Sequence, residues 1–577
     1  YTHAESLLNE PALQDNELVA FIRMGTDLTE NFYQIELPLV PTPFGTTNPE
    51  AIWPESNRFD VPLDLLQTVK AAFLNNAAAT LPQTVTYYDI NGELIEDPAN
   101  TDYNTGEIRV GIKGNPSFGD VRVLMLGVKN GNPDNGSDVC GEVWFNELRI
   151  TELQNEGGWA GILNVDANVA DFATVSATGR QTTVGFGGID EGPNQRSRED
   201  IKSYDVVTNV NAGQLLPKKW GIKLPFNYSV GEQVITPQFD PLYSDIELDT
   251  RLETAETEEQ RDAIEGQAIS HTRRRSVNLI GVRKERTGEA KPKPWDVENL
   301  TFSYSYNQED HKDFEIEQSR AQSVRLGGTY NFAFQPKAYE PFAKNDSLFM
   351  SPYLKLLKDF NINYLPASIS VSSNYNRQYN QQKLRDVSLT GNSILPEYKQ
   401  RNYLFDRQFT INYPITNSLT VNFDQAQNRI VRNYLNADNS LDAEAGGVYD
   451  GFFEIGTPSR HYQTLQANYE LPFDKLPYLD FLSATYSYTA DFEWNRGSYQ
   501  FQTLEGIPDL GNSVENANTH AINGTIDMTK LYRSVGLVKK KAAGAAGKTR
   551  QERSRSVPTL GNPRVTPQNG AQGGSLT

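Results

Sequence analysis

One alternation of residue types constrains this chain most: in Leu300–Asn307, each large apolar or aromatic residue is followed by a small polar one. Neighbouring side chains of a β-strand point to opposite faces, so this octapeptide forms one aromatic face and one hydrophilic face. The pattern recurs from Trp159 onward in segments of about ten residues that are separated by turns. Such segments are typical of a wall between lipid and water, as in an outer-membrane β-barrel.

Composition excludes some classes of protein and leaves two open. The chain has 577 residues, a net charge of -20 and a mean hydropathy of -0.56. It contains no apolar run near the ~20 residues of a membrane-spanning helix, which argues against a helical membrane protein. The acidic balance argues against nucleic-acid binding. Low mean hydropathy with many aromatic residues fits both a barrel and a soluble β-rich protein.

The periodicity divides the chain into three parts. Residues 1–157 predict a β-sandwich-like domain with a helix at Leu63–Phe73 and a strand at Glu142–Ile150. Residues 158–533 predict transmembrane β-barrel strands with loops, including an acidic helical insert at 244–267 that most simply is a solvated helix. Residues 534–577 predict a flexible basic linker rich in Ala, Gly and Ser.

Two sets of candidate site residues follow from the alternation, one for each face of the predicted strands. Pro225 interrupts one strand and predicts a bulge or the rim of the sheet there. The lipid-facing candidates are Trp220, Ile222, Phe226, Tyr228, Phe302, Tyr304, Tyr306, Tyr330, Phe332, Tyr486, Tyr488 and Phe492. The lumen-facing candidates are Asn164, Asp166, Asn168, Asn227, Ser303, Ser305, Ser483, Thr485 and Ser487.

Motifs for catalysis and cofactors are missing from the sequence. The five histidines fit no zinc spacing, and no P-loop, HExxH or GxSxG motif occurs. We therefore expect no enzyme, no cofactor and no catalytic or metal site. Asp134–Asp138 could bind calcium, but its Asn-Gly dipeptide favours an ordinary polar turn. Cys140, the single cysteine, is most simply a packing residue.

Several longer segments of the chain resemble one family, the SprA/Sov proteins. The motifs are Glu142–Thr151, Gly157–Ala160, His3–Glu5, Phe21–Gly25, Trp53–Asn57, Ile280–Lys284, Lys293–Asn299 and Leu471–Pro477. They extend from the N-terminus to the region of Tyr532, while the tail after Val538 matches nothing in the family. Members are several times longer than this chain, so the resemblance implies that it is an internal portion of a longer protein.

The resemblance also implies a function. SprA/Sov proteins are outer-membrane translocons of the type IX secretion system of Bacteroidetes, which export folded cargo and gliding-motility adhesins. The implied fold is all-β: a portion of a very large transmembrane antiparallel β-barrel, preceded by the β-sandwich-like domain. The implied partners are a PorV-like outer-membrane barrel, a periplasmic plug protein and secreted cargo with C-terminal signal domains. The implied location is the outer membrane of a Gram-negative bacterium.

Two alternatives stay open at the level of sequence. A self-contained outer-membrane porin or nutrient transporter predicts a sheet closed within residues 159–533, with its first and last strands paired. A soluble β-rich adhesin or sugar-binding protein predicts that the aromatic faces are buried between sheets.

Overall fold

The structure is a computed structural model. It describes residues 2–3, 13–43, 45–76, 84–99, 101–131, 139, 141–151, 157–192, 195–342, 351–387, 395–432, 447–497 and 511–537. Asp134–Asp138, Cys140 and the basic tail from Val538 to Thr577 lie outside these residues, so the expectations for them stay predictions.

Within the described residues, strands dominate. In chain order they are β1 (Thr2–His3), β2 (Leu18–Gly25), β3 (Phe32–Pro38), β4 (Thr86–Tyr88), β5 (Arg109–Lys113), β6 (Val123–Asn130), β7 (Glu142–Val143), β8 (Ala160–Val169), β9 (Ala173–Thr182), β10 (Glu199–Asn211), β11 (Ile222–Lys223), β12 (Pro225–Pro237), β13 (Ser270–Lys284), β14 (Leu300–Lys312), β15 (Ile316–Ala333), β16 (Ala338–Tyr339), β17 (Ile362–Asn363), β18 (Ser368–Leu384), β19 (Glu397–Pro414), β20 (Leu419–Val431), β21 (Thr457–Leu471), β22 (Leu482–Asn495) and β23 (Ser513–Ile526).

The α-helices of the described residues are short, and all but the last lie between strands. They are α1 (Pro49–Ile52), α2 (Leu63–Asn76), α3 (Leu248–Glu253), α4 (Glu258–Ala268), α5 (Lys355–Lys358) and α6 (Met528–Ser534). In the part of the chain that the structure describes, no helix is long and apolar enough to span a membrane.

The N-terminal domain is built on one five-stranded antiparallel sheet in the order β4-β5-β3-β2-β6. Tyr33 and Ile35 of β3 pack against Leu66, Val69 and Phe73 of α2, and all five side chains are buried. Burial of each such side chain contributes about 1.5–3 kcal/mol. The predicted helix is therefore present, and it covers the sheet face that a second sheet would cover in a sandwich.

The predicted strand at Glu142–Ile150 is wrong beyond its first two residues. Only Glu142–Val143 is a strand, and it pairs with the equally short β1. Trp144, Phe145 and Ile150 are exposed. Alternating apolar residues form a strand only where a neighbour supplies the hydrogen-bonding ladder, and none of the described strands pairs with residues 144–150.

The second architectural element is a large antiparallel sheet of 14 strands, which confirms the predicted all-β class. Its order is β23-β22-β21-β20-β19-β18-β15-β14-β13-β12-β10-β9-β8, with β11 pairing β13 beside this path. Neighbours in the sheet are mostly neighbours in sequence, as in an up-and-down arrangement. Among the described residues, β8 and β23 form opposite edges and do not pair with each other, so the pairing that the self-contained porin requires is absent there.

Several strands are longer than the predicted ten residues. β15 extends over 18 residues, Ile316–Ala333, whereas the alternation predicts a strand only at Val324–Phe334. β18 differs in position: the alternation predicts Phe360–Tyr375, and the strand is Ser368–Leu384. β10 and β13 were missed, and in β13 the consecutive residues Arg273-Arg274-Arg275 hide the alternation. β13 also contains a bulge between Leu279 and Val282, where Gly281 adopts a φ of 79° that favours glycine.

Pro225 confirms the expected rim. It is the first residue of β12, where a missing N–H does not break the ladder. The predicted strand from Trp220 is interrupted: Trp220 belongs to a helical turn at Lys218–Trp220, and Ile222 lies in the two-residue β11. Trp220 therefore does not occupy a position on the alternating strand.

The described residues form two compact units. The first contains Tyr1–Pro341, Phe360–Tyr469 and Tyr486–Ala521, and it includes both the N-terminal domain and most of the large sheet. The second contains Phe342–Asp359, Glu470–Thr485 and Ile522–Thr577. In the second unit, Asp527 caps α6 by accepting hydrogen bonds from the backbone N–H groups of Thr529 and Lys530.

Candidate functional site

The register of the large sheet places polar and aromatic residues on opposite faces. Ser305 of β14 lies opposite Asn278 of β13, which in turn lies opposite Asn227 of β12. Their sequence neighbours on the other face are paired in the same way, as Tyr304 is with Leu279. Because residues directly opposite in an antiparallel pair share a face, the alternation of each strand extends across the whole sheet. We call the two sides the polar face and the aromatic face.

Side chains of the polar face hydrogen-bond to one another from strand to strand. Ser305 Oγ donates to Asn278 Oδ1 at 2.6 Å, and Asn278 Nδ2 donates to Asn227 Oδ1 at 2.9 Å. The chain continues from Asn227 Nδ2 to Asn209 Oδ1 at 2.8 Å and from Asn209 Nδ2 to Thr174 Oγ1 at 3.4 Å. This polar ladder crosses the five strands β14, β13, β12, β10 and β9.

A second polar ladder continues on the same face in the later strands. Arg325 Nε donates to Asn376 Oδ1 at 2.9 Å, and Asn376 Nδ2 donates to the Asp406 carboxylate at 2.8 Å. Asn428 Nδ2 reaches the other oxygen of Asp406 at 2.7 Å. Many donors and acceptors of this surface are therefore already satisfied within the sheet, which leaves fewer of them for a molecule that slides past.

The aromatic face carries a band of large apolar side chains. On β15 the band extends from Val324 to Phe332, eight residue steps that cover roughly 26 Å along the strand at ~3.3 Å per residue. Because the strands of membrane barrels are tilted by ~40°, this length would cover about 20 Å of the ~25 Å height of their apolar band. Phe302 is 51% exposed and Leu465 is 37% exposed, so parts of the band are open to the surroundings.

Beyond this band, the aromatic face becomes polar toward one end of the strands. The residues of this polar extension are Glu232, Gln308, Asp310, Arg320, Gln322 and Gln381. Arg320 Nε contacts Asp310 at 2.7 Å, and Glu232 accepts a hydrogen bond from Tyr204 at 2.9 Å. A β-wall that is apolar in one zone and charged in the next on the same face is typical of strands that extend past a membrane surface.

A segment of the chain covers the aromatic face next to the polar extension. We call residues 447–456 the covering segment. Tyr449 stacks on Tyr306 with the ring centroids 6.2 Å apart and hydrogen-bonds to the hydroxyl of Tyr304 at 2.9 Å. Phe452 lies 6.0 Å from Tyr375, centroid to centroid. Tyr304 and Tyr306, two lipid-facing candidates, therefore contact protein in this zone.

The remaining candidates are distributed over the same two faces. Phe226, Tyr228 and Tyr330 lie on the aromatic face, as does Phe332, which is buried against the edge of Phe334. Near the other edge of the sheet, the hydroxyls of Tyr486 and Tyr488 contact His520 and Asn518 of β23. The other candidates occupy their expected alternate positions, namely Asn164, Asp166, Asn168, Ser303, Ser483, Thr485, Ser487 and Phe492. Which face meets lipid stays a prediction.

Sequence reasoning missed the covering segment and the side chain that holds it. Arg377 is fully buried and donates to the carbonyl oxygens of Leu404, Phe452 and Glu454 at 2.6–2.7 Å. One signal was available: Arg377 stands between Tyr375 and Tyr379 at the alternate positions of β18. A cation in an aromatic row indicates either a polar partner or an end to contact with hydrocarbon.

Comparisons with known proteins relate the chain to a family model and to solved structures. A family model described as "Motility related/secretion protein", SprA_N, matches residues 1–252. No curated protein matches the chain. Among solved structures, a FadL homologue from Pseudomonas aeruginosa is similar at 9% sequence identity over 89% of this chain and 90% of that chain, with a TM-score of 0.12.

Proposed function

The chain belongs to the SprA family of motility-related secretion proteins, which its residues 1–252 match, and from this premise we propose that it is part of an outer-membrane translocon for proteins. The pathway we propose is type IX secretion in Bacteroidetes, with gliding-motility adhesins among the exported cargo. The proposal rests chiefly on one observation, the continuous separation of a polar face from an aromatic face across the large sheet.

The two faces fit the two environments of a barrel wall. The aromatic band, with Phe226, Tyr228 and Phe302, would contact hydrocarbon, where a charged side chain at the midplane costs ~2–4 kcal/mol. The polar face, with Asn227, Ser303 and the other lumen-facing candidates, would line an aqueous passage. The charged polar extension would then project from the membrane, since its ion pairs are stable in water and costly in hydrocarbon.

The polar ladder suits the passage of folded proteins. A lumen wall with free amide and hydroxyl groups would offer hydrogen bonds to every passing surface, whereas the Asn and Ser side chains of the ladder already bond to one another. Its hydrated polar groups also offer no apolar contact. Both properties favour passage over retention.

A pore that is wide enough for folded proteins needs a barrel wall with more strands than the described sheet. Barrel diameter grows with the number of strands, and rings of 16–18 strands form porins rather than protein channels. We propose that β8 and β23 pair with further strands on their outer edges. The expected partners are a PorV-like barrel beside the wall, a periplasmic plug protein and cargo with C-terminal signal domains.

Depletion of the protein in its native host tests the proposal. We expect folded cargo to accumulate in the periplasm while its passage across the inner membrane continues. The measurement is cargo in the periplasmic, outer-membrane and medium fractions, with re-expression of the unaltered gene as the control. Normal cargo export together with a selective loss of small-solute uptake would instead support the porin or nutrient transporter.

A further inference from the structure

The connection between β12 and β13 is built into the N-terminal domain. We call its residues 240–254 the docking segment. Lys70 Nζ of α2 lies 2.6 Å from Asp245 Oδ1 of this segment, and both side chains are only 2% exposed. The sequence favoured a solvated helix for the acidic insert. The first turn of α4 is exposed to solvent as expected. The docking segment is not, because Asp245, Ile246 and Leu248 are buried.

Each member of this buried ion pair has further partners. Lys70 Nζ also donates to the carbonyl oxygen of Pro116 at 2.7 Å. Asp245 Oδ2 accepts a hydrogen bond from the backbone N–H of Phe118 at 3.2 Å, and the Tyr33 hydroxyl lies 3.5 Å away. A buried charge that lost these partners would keep its desolvation cost without compensation, so separation of the two parts is strongly unfavourable.

Contacts on both sides of the ion pair extend the interface along α2. Toward the start of the helix, Gln67 Oε1 accepts a hydrogen bond from the backbone N–H of Glu247 at 3.1 Å. Toward its end, Arg251 donates to Asn75 Oδ1 at 2.7 Å, and Asn75 Nδ2 donates to the Thr254 carbonyl at 2.6 Å. The contacts thus span two turns of α2 on the docking-segment side.

The docking segment also contributes apolar side chains that are shielded from water. Ile246 is 0% exposed and Leu248 is 1% exposed, although both belong to a connection between two strands of the large sheet. A connection held to the domain only by exposed hydrogen bonds could release it easily. One that buries two aliphatic side chains and an ion pair holds it as a domain core does.

We propose that the docking segment fastens the N-terminal domain permanently, so that the domain keeps one position relative to β12 and β13 while substrate is transported. The domain would then be a fixed part of the structure, and any moving gate would lie elsewhere. The docking itself does not depend on the proposed function; only the expectation for cargo export rests on it.

A reversible crosslink across the interface tests this inference in the complete protein in its native membrane. Gln67→Cys and Glu247→Cys are combined with Cys140→Ser and treated with a short, reducible bis-methanethiosulfonate reagent. Peptide mass spectrometry quantifies the crosslink, and cargo export is measured before treatment, after treatment and after reduction. Each single-cysteine variant, treated in the same way, controls for modification without crosslinking.

We expect most of the protein to be crosslinked, with export within about twofold of the untreated double variant. A low crosslink yield would overturn the docking, and a loss of export that reduction restores would overturn the fixed position. Failure of the proposed function has a different signature. In that case export persists when the whole gene is deleted, whereas the crosslink yield still reports whether the domain is docked.

Discussion

The guanidinium of Arg377 donates to the carbonyl oxygen of Phe452 at 2.7 Å, and this contact joins the middle of β18 to the covering segment. The same group holds the carbonyls of Leu404 and Glu454. Its position over the rings of Tyr375 and Tyr403, at 5.4 and 5.2 Å, adds cation–π attraction. One buried cation therefore fastens the covering segment to the sheet.

Substitution Arg377→Ala should release the covering segment. Hydrogen bonds to a charged group contribute ~1.5–3 kcal/mol each. The variant loses the two that reach the covering segment, at the carbonyls of Phe452 and Glu454, and this loss should be enough to detach a short segment. We expect chymotrypsin to cleave after Tyr449, Phe452 or Phe453 at least tenfold faster than in the unaltered protein. Mass spectrometry of the fragments identifies the site.

Arg325→Ala provides the matched control, because Arg325 is exposed and forms its hydrogen bond with Asn376 on the opposite face. It should leave the cleavage rate of the covering segment unchanged. Equal cleavage of both variants would mean that Arg377 does not hold this segment.

The sequence predicted the central strands of the sheet because their alternation is complete. In β14, every position from Leu300 to Asn307 obeys the period of two, and the observed faces agree with it. The same rule failed in β13, where three consecutive arginines occur in the polar zone. There both faces of the strand carry charged side chains, so residue type no longer indicates which face a side chain occupies.

Contacts between distant segments could not be predicted from local patterns. Lys70 lies within an amphipathic helix and Asp245 within an acidic loop, and neither position is unusual alone. Their partnership depends on how the chain folds between two positions that are 175 apart in sequence. A single sequence contains no covariation that would reveal such a pair.

Breaking the buried pair should destabilise the N-terminal domain. Lys70→Met leaves the Asp245 carboxylate buried without its cation, and loss of one partner of a buried pair costs about 3–5 kcal/mol. We expect a lower urea midpoint for domain cleavage in pulse proteolysis of the membrane-embedded protein.

The double variant Lys70→Met with Asp245→Leu should recover much of this loss, since two apolar side chains remove the uncompensated charge. The exposed pair Arg58 and Glu55 serves as the comparison, and Arg58→Ala should change the midpoint little. A double variant as unstable as Lys70→Met alone would contradict the electrostatic explanation.

Glu36 should make the stability of the same domain depend on pH. Its side chain is buried and accepts hydrogen bonds from Lys129, Tyr87 and Tyr103 at 2.7, 3.0 and 2.6 Å. Burial alone would raise the pKa of Glu36, but Lys129 and the hydrogen bonds outweigh burial and hold the pKa below its ordinary value of 4.5. A carboxyl whose pKa is lower in the folded state stabilises the fold above its unfolded pKa and loses this contribution as the pH falls through the folded pKa.

We therefore expect the stability difference between the unaltered protein and Glu36→Gln to be largest near neutral pH and to narrow below pH 4.5. Urea pulse proteolysis at pH 7 and at successively lower pH measures this difference. A difference that stays constant across the series would show that the carboxylate charge does not contribute.

Leu465 and Gln466 offer a direct test of which face meets lipid. They are consecutive residues near the middle of β21, both are exposed, and they lie opposite Phe423 and Asn422 on the two faces of the sheet. Arginine on the lipid face of a barrel costs ~2–4 kcal/mol at the bilayer midplane and much less in the lumen. Leu465→Arg should therefore reduce the amount of protein assembled in the outer membrane severalfold, whereas Gln466→Arg should assemble normally. The measurement is the folded fraction in outer membranes by heat-modifiable mobility, and the inverse ranking would exchange the lipid and lumen assignments.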